Sequence, residues 1–327
     1  MTAPERPTPQ DLERAILHDE PMLSSEELAE RTGADPDQAK RLWRALGFPD
    51  RGDERAFTDS DAEALGTVLG VVAEGALDFD MAVNLSRAVG QTMSRLADWQ
   101  VATMASRVED IEAGDEPSGS RLRTAIALVE DIQGSFESLM VYAWRRHLAA
   151  AVARVEAVGA KADELHTTQV TVGFADIVSF TALSNGMDQN RIGDLVEVFE
   201  TRCSDVVAGR HGRVIKSLGD SVLFVNEDPV AAVETAEGII AVIGGDARLP
   251  DVRVGLATGS VVTRMGDVFG PPVNLAARLT GVARRNHVIV DAATAELLPR
   301  DRFEGRRLPA RPVHGFGLLE PVTLRRR

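Results

Sequence analysis

A chain of 327 residues with 44% hydrophobic side chains can build two globular cores, and with aromatics at only 5% those cores must be packed by aliphatic side chains and alanine. The formal net charge of −14 repels phosphate backbones, which disfavours nucleic acid as a partner and means that any bound polyanion needs its charge offset, most simply by metal ions. A single cysteine, Cys203, excludes an internal disulfide and a cysteine-rich zinc site, and with no signal-peptide core in MTAPERPTPQ and no apolar run of the roughly 18 residues a membrane span needs, a cytoplasmic protein without membrane contact is expected.

The first half is helical in pattern. Ser24 or Ser25 can cap a helix carrying Leu28 and Ala29, and a second helix carries Ala39, Leu42, Trp43 and Leu46. Amphipathic stretches follow at about 60–75, 79–112 and 121–149. GDEPSGS, residues 114–120, reads as a turn or flexible link between the last two. From Arg145 to Leu165 the chain is alanine-rich and free of proline, so a helix is expected to lead straight into the second half.

From Gln169 the texture changes. QVTVGFAD alternates and is β-branched, which predicts a strand. Asn190 to Gly209 is predicted helical, with Ile192, Leu195, Val196, Phe199, Cys203, Val206 and Val207 on its apolar face. RVIKSL and SVLFV are strands separated only by Gly219 and Asp220, a tight-hairpin signal. Pro229 to Ile243 reads as a helix, the GGD at 244–246 as a loop, and VRVGLATG as a strand. The order β-α-β-β-α-β is the split ferredoxin-like arrangement, so the predicted fold class is α+β, a ferredoxin-like domain preceded by an all-α region. In that topology the third strand lies antiparallel between the first and second. Asp176, ending the first strand, is then brought to Asp220 in the hairpin.

Two close carboxylates can bind hard cations, share a proton, or stand solvated at strand ends, as Asp often does in turns. The surroundings favour cations. Asp176 is followed by IVSFT, where a turn can aim backbone N–H groups, those of Phe180 and Thr181 among them, at a phosphate, with Phe174, Ile177 and Phe180 as apolar anchors. Mg2+ and Mn2+ suit one or two carboxylates completed by phosphate oxygens.

FADIVSFT, VIKSLGDSVLF and GDVFGPPVNLAARL, in this order and on this strand pattern, resemble the catalytic core of class III nucleotidyl cyclases from about Thr168 to the C-terminus. The resemblance implies an adenylate cyclase, turning ATP into 3′,5′-cyclic AMP and pyrophosphate. It implies two divalent cations, Mg2+ or Mn2+, on Asp176 and Asp220, with the Ile177 carbonyl as an extra ligand. It places Lys216 at the adenine ring nitrogen, Asp267 at the exocyclic amine, Asn274 at the ribose, and Arg278 at the charge of the transition state. Adenine offers an acceptor at N1 and a donor at N6, which a lysine and an aspartate complement, whereas guanine reverses the pattern and the family's guanylate cyclases use Glu and Cys there. In this family one subunit's metal face meets the other's purine and arginine face, so a homodimer with two composite active sites is expected. Where the family often carries a phosphate-binding lysine, this chain reads PVHGFG, which puts His314 there, with Arg306, Arg307 or Arg311 as substitutes.

Residues 24–65 resemble the helix-turn-helix of MerR-type regulators, but Asp35 and Asp37 stand where a recognition helix would meet phosphates. A regulatory or dimerisation module is therefore favoured over DNA binding. The expected organisation is a helical regulatory domain over 1–144, a linker helix over 145–166 and a catalytic domain over 167–327. His147 and His166 bracket that linker and raise control by pH. Two other readings remain open: a nucleotide-sensing transcription regulator whose cyclase-like half does no chemistry, and a guanylate cyclase.

Overall fold

Helix starts in the first half are set by side chains that satisfy the free N–H groups of a first turn. The computed structural model describes residues 6–52, 54–158, 167–264, 266–313 and 315–327. After α1 (Pro9–Leu17), α2 (Ser25–Thr32) begins at Ser24, whose hydroxyl accepts from the Glu27 N–H while the Glu27 carboxylate accepts from the Ser24 N–H. Asp35 accepts from two N–H groups at the start of α3 (Pro36–Ala45), and Thr58 and Asp61 form a reciprocal box at α4 (Asp59–Ala73). Asp78 caps α5 (Phe79–Glu112), and α6 (Arg121–Val158) runs unbroken through residue 145. The link between α5 and α6 is a pinned turn: the Glu112 carboxylate accepts from the Ser118 and Thr124 hydroxyls and from the Ser118 and Gly119 N–H groups.

The helical core is small. Leu28, Phe57 and Ala62 pack with Trp43, whose ring lies 4.5 Å from Phe48 and 4.7 Å from Phe57. Leu42, Ala45 and Val83 form a second cluster. Among the described residues a single isolated antiparallel bridge joins Leu23 to Phe57, just ahead of α4. Among the described residues no helix is long and apolar enough to cross a membrane.

The chain divides into two compact units, Met1–Ala153 and Arg154–Arg327. The second opens with β1 (Thr167–Ile177), followed by α7 (Phe180–Ser184), α8 (Gln189–Gly209), the hairpin β2 (Arg213–Ser217) and β3 (Ser221–Asn226), and α9 (Pro229–Gly244). Then come β4 (Val252–Arg264), β5 (Asp267–Phe269), α10 (Pro271–Val282), β6 (Val288–Val290) and α11 (Ala292–Leu297). The remaining strands are β7 (Phe303–Arg307), β8 (Arg311–Val313), β9 (Gly317–Leu319) and β10 (Val322–Arg326).

The main sheet runs β2-β3-β1-β4-β6-β10-β7, with β5 on β4, while β8 and β9 pair apart. Its β2-β3-β1-β4 part is the ferredoxin-like order expected from the sequence, with β3 antiparallel between β1 and β2. Beyond it, β6 joins β4 in parallel and β10 and β7 extend the sheet. Along β1 the side chains alternate between two cores. Ala175 and Ile177 face α8 and α9, where Phe199, Cys203, Val207, Ile239 and Ile243 are buried. Val172 and Phe174 face α10, against Ala276 and Leu279.

Helix α10 lies directly on the backbone of β4. A Cβ at Gly255 would come 2.4 Å from the Thr280 nitrogen, and one at Gly259 would come 2.7 Å from Pro272. These two glycines therefore set how close α10, and the residues it carries, comes to the sheet.

Candidate active site

The first constellation forms where β1 ends. Asp176 is in register with Ser221 on β3 and with Arg253 on β4. The Ile177 N–H donates to the Asp220 carbonyl at 3.0 Å, and the Leu218 N–H closes the hairpin on the Ser221 carbonyl at 2.7 Å. Gly219 makes this turn at φ +67, in the left-handed region that side chains disfavour. By alternation Asp176 points to the α10 face, like Phe174. The hairpin thus brings Asp220 to Asp176, as the topology predicted.

Electrostatics mark the pair. The Asp220 carboxyl is pushed above its ordinary value, first by burial and then by the charge of Asp176, with its own backbone N–H and Arg253 pulling the other way. A site with surplus negative charge and hard oxygen donors fits a divalent cation. Among the described residues no group of three or more His, Cys, Asp or Glu could hold a metal. Two carboxylates therefore leave most of a cation's shell to phosphate oxygens or water, which is the habit of Mg2+.

Asp176 is held from both neighbouring strands. Its Oδ1 accepts from the Ser221 hydroxyl at 2.5 Å, and its Oδ2 accepts from Arg253 through Nε at 2.7 Å and Nη2 at 2.6 Å. Arg253 Nη1 also donates to the Gly281 carbonyl near the end of α10 at 3.1 Å. Neither Ser221 nor Arg253 was singled out from sequence. The available signal was their register, since both stand directly opposite Asp176, and register follows only once the strand order is known.

The second constellation joins residues 51 apart in the chain. Lys216 Nζ meets Asp267 Oδ2 at 2.5 Å, both side chains about one-third exposed or less. Asp267 Oδ1 accepts from the Val268 N–H at 2.8 Å, which fixes the carboxylate's plane. A bulge between Val214 and Lys216 re-aims the β2 side chains at this point. The two residues predicted to read a purine are thus each other's partners.

Helix α10 starts after Gly270, whose φ of +141 only glycine adopts readily, with Pro271 at its first position. It buries Ala276, Leu279 and Thr280 on the sheet and leaves Asn274 and Arg278 exposed, one turn apart. Among the described residues neither side chain makes a hydrogen bond or an ion pair.

The phosphate candidates are dispersed. Ser179, at φ +60, turns the chain into α7, and Phe180 and Thr181 occupy that helix's first turn, where N–H groups lack intrahelical partners. The Phe180 side chain packs against the core. Arg306 and Arg307 lie on β7, four strands from β1 in the order β1-β4-β6-β10-β7, or about 19 Å at ordinary strand spacing. Arg311 lies on the separate β8–β9 hairpin. His314, like His166, lies outside the described residues.

The family described as "Adenylate and Guanylate cyclase catalytic domain" matches residues 163–324. A protein named adenylate cyclase in Streptomyces coelicolor is 39% identical over 97% of this chain and 89% of its own length. One of the same name in Streptomyces griseus is 37% identical over 97% of this chain and 88% of its own. A protein named pH-sensitive adenylate cyclase in Mycobacterium tuberculosis is 30% identical over 84% of this chain and 70% of its own.

Proposed function

The chain belongs to the adenylate and guanylate cyclase catalytic-domain family, and from that premise we propose that it is an adenylate cyclase, converting ATP to 3′,5′-cyclic AMP and pyrophosphate. The observation that carries this reading is the Lys216–Asp267 pair at 2.5 Å. A donor and an acceptor held side by side match the N1 and N6 edge of adenine, and would leave the edge of guanine mispaired.

Asp176 and Asp220 would hold the cations, Mg2+ or Mn2+, with the Ile177 carbonyl as a further ligand. Such ions supply charge against the triphosphate and lower the pKa of the ribose 3′-hydroxyl. Asn274 orients the ribose so that its 3′-oxygen stands in line with the α-phosphorus. The new O–P bond forms as the bond to pyrophosphate breaks, and the hydroxyl proton passes to water. Arg278 meets the charge that grows on the α-phosphoryl oxygens. Arg253, beside Asp176, is a guanidinium within the site itself, and with the N–H groups of Phe180 and Thr181 it gives the phosphates donors that do not depend on His314.

The exposure of Asn274 and Arg278 supports a homodimer with two composite active sites, in which one chain's α10 serves its partner's aspartates. The helical half is read as a regulatory domain whose 24–65 segment is a helix-turn-helix shape put to other use. Asp35 caps its own helix there, so a carboxylate stands where DNA phosphates would approach. The unbroken α6, carrying the exposed His147, is read as the connection to the catalytic half, and the M. tuberculosis relative supports control by pH.

The deciding experiment supplies purified chain with ATP or GTP and Mn2+ and identifies the cyclic product. Cyclic AMP from ATP, lost in Asp176→Ala, is expected. Cyclic GMP as the main product, or no product from either nucleotide, overturns the reading.

A further inference from the structure

Both carboxylate oxygens of Asp176 accept hydrogen bonds. Oδ1 is taken by Ser221 from β3, and Oδ2 receives two guanidinium nitrogens of Arg253 from β4, at 2.6 and 2.7 Å. Two charge-assisted bonds to one oxygen use both of its lone pairs. That oxygen cannot also ligate a divalent cation, because the guanidinium fills the same positions and carries the same sign of charge. The Ser221 hydroxyl differs, since it is neutral and leaves the carboxylate's charge in place.

The two contacts therefore do opposite things to an arriving cation. We propose that Arg253 is an internal counter-ion that occupies the cation's place on Asp176 Oδ2 and must be displaced for that oxygen to ligate the cation, while Ser221 is a positioning residue that keeps Asp176 aimed throughout. The surroundings support the exchange. The Arg253 side chain is 28% exposed and so has room to move, and its Nη1 bond to Gly281 tethers it beside the site after it leaves the carboxylate. Ser221 begins β3 immediately after Asp220, so its backbone is held by the same hairpin that carries the second carboxylate. The proposal rests on reading Asp176 and Asp220 as cation ligands, and adds that the charge of one of the two carboxylates is met in advance by the chain's own guanidinium.

The test measures Mn2+ binding to the full-length, nucleotide-free chain by electron paramagnetic resonance, so activity is not the readout. Arg253→Gln removes the competitor, and Mn2+ should bind about tenfold tighter. Arg253→Lys keeps a competing charge and should stay near wild type. Ser221→Ala should bind several-fold more weakly, with Ser221→Thr restoring the hydroxyl and the affinity. A folded Arg253→Gln chain with unchanged or weaker Mn2+ affinity overturns the counter-ion role, and an unchanged Ser221→Ala overturns the positioning role. A second measurement needs no substitution in the chain observed. In wild type labelled with 15N-arginine, saturating Mg2+ should shift the Arg253 Nε–H resonance and speed its exchange with water, and a resonance that stays put sinks the displacement. Failure of the underlying reading looks different: wild type would bind no Mn2+, or Asp176→Asn would bind it as wild type does.

Discussion

Ile177 donates its N–H to the carbonyl of Asp220 at 3.0 Å, and this one bond fastens the end of β1 to the β2–β3 hairpin. The two carboxylates beside it cannot drift apart without breaking a ladder that continues through the Asp176–Ser221 and Ala175–Val222 pairs. The candidate metal site is thus rigid because it stands on a central pair of strands, and its chemistry can be tested one residue at a time.

Asp220→Asn should reduce cyclic AMP formation on the order of a thousandfold, the rate equivalent of the several kcal/mol a catalytic cation supplies. The far-ultraviolet circular dichroism should not change. Activity within tenfold of wild type would remove Asp220 from the site.

Asp267→Ala should lower kcat/KM for ATP about a hundredfold while changing GTP turnover far less, because it deletes the acceptor for the exocyclic amine and frees Lys216. Parallel steady-state assays with both nucleotides give the ratio. An equal loss with both would assign the pair a structural role only.

Mixing two inactive chains tests the composite site. Asp176→Ala lacks one face and Arg278→Ala the other, so random exchange into dimers should restore about a quarter of wild-type activity: half of the dimers are mixed, each with one intact site of two. No recovery after co-refolding or co-expression would place both faces within one chain.

Gly255→Ala should destabilise by about 1–3 kcal/mol or more, since the added Cβ would sit 2.4 Å from the backbone nitrogen of Thr280 and α10 must move. Activity should fall further than stability alone explains, because α10 also carries Asn274 and Arg278. Thermal melts and assays well below the melting midpoint separate the two effects.

The raised Asp220 pKa gives a pH signature in the cation-free chain. A carboxyl whose folded pKa exceeds its unfolded one favours the fold while protonated, below the ordinary carboxylate range. That contribution is lost as pH rises through the folded value. Asp220→Asn, which stays neutral, should therefore match wild type in acid and melt higher than wild type at neutral pH. Mn2+ should cancel the difference by stabilising wild type alone. Identical melting curves at neutral pH, without metal, would contradict the burial and charge assigned to Asp220.

Much of this protein was readable from its residues in order. The cap at Ser24 announces a helix start, alternation marks β1, and Gly219 with Asp220 marks the hairpin, because each depends on neighbours a few residues away. The aspartate pair followed from element order alone, and the Lys216–Asp267 pair from motif resemblance. The tertiary structure alone decided what stands opposite Asp176. Arg253 and Ser221 look like ordinary strand residues until β1 is seen between β3 and β4 in a fixed register, and hydrogen-bonded strand pairing is non-local, invisible to spacing along the chain. The same holds for β6, β10 and β7, short strands whose place comes from pairing, and for Asn274 and Arg278, whose exposure depends on which face of α10 the glycines of β4 admit to the sheet.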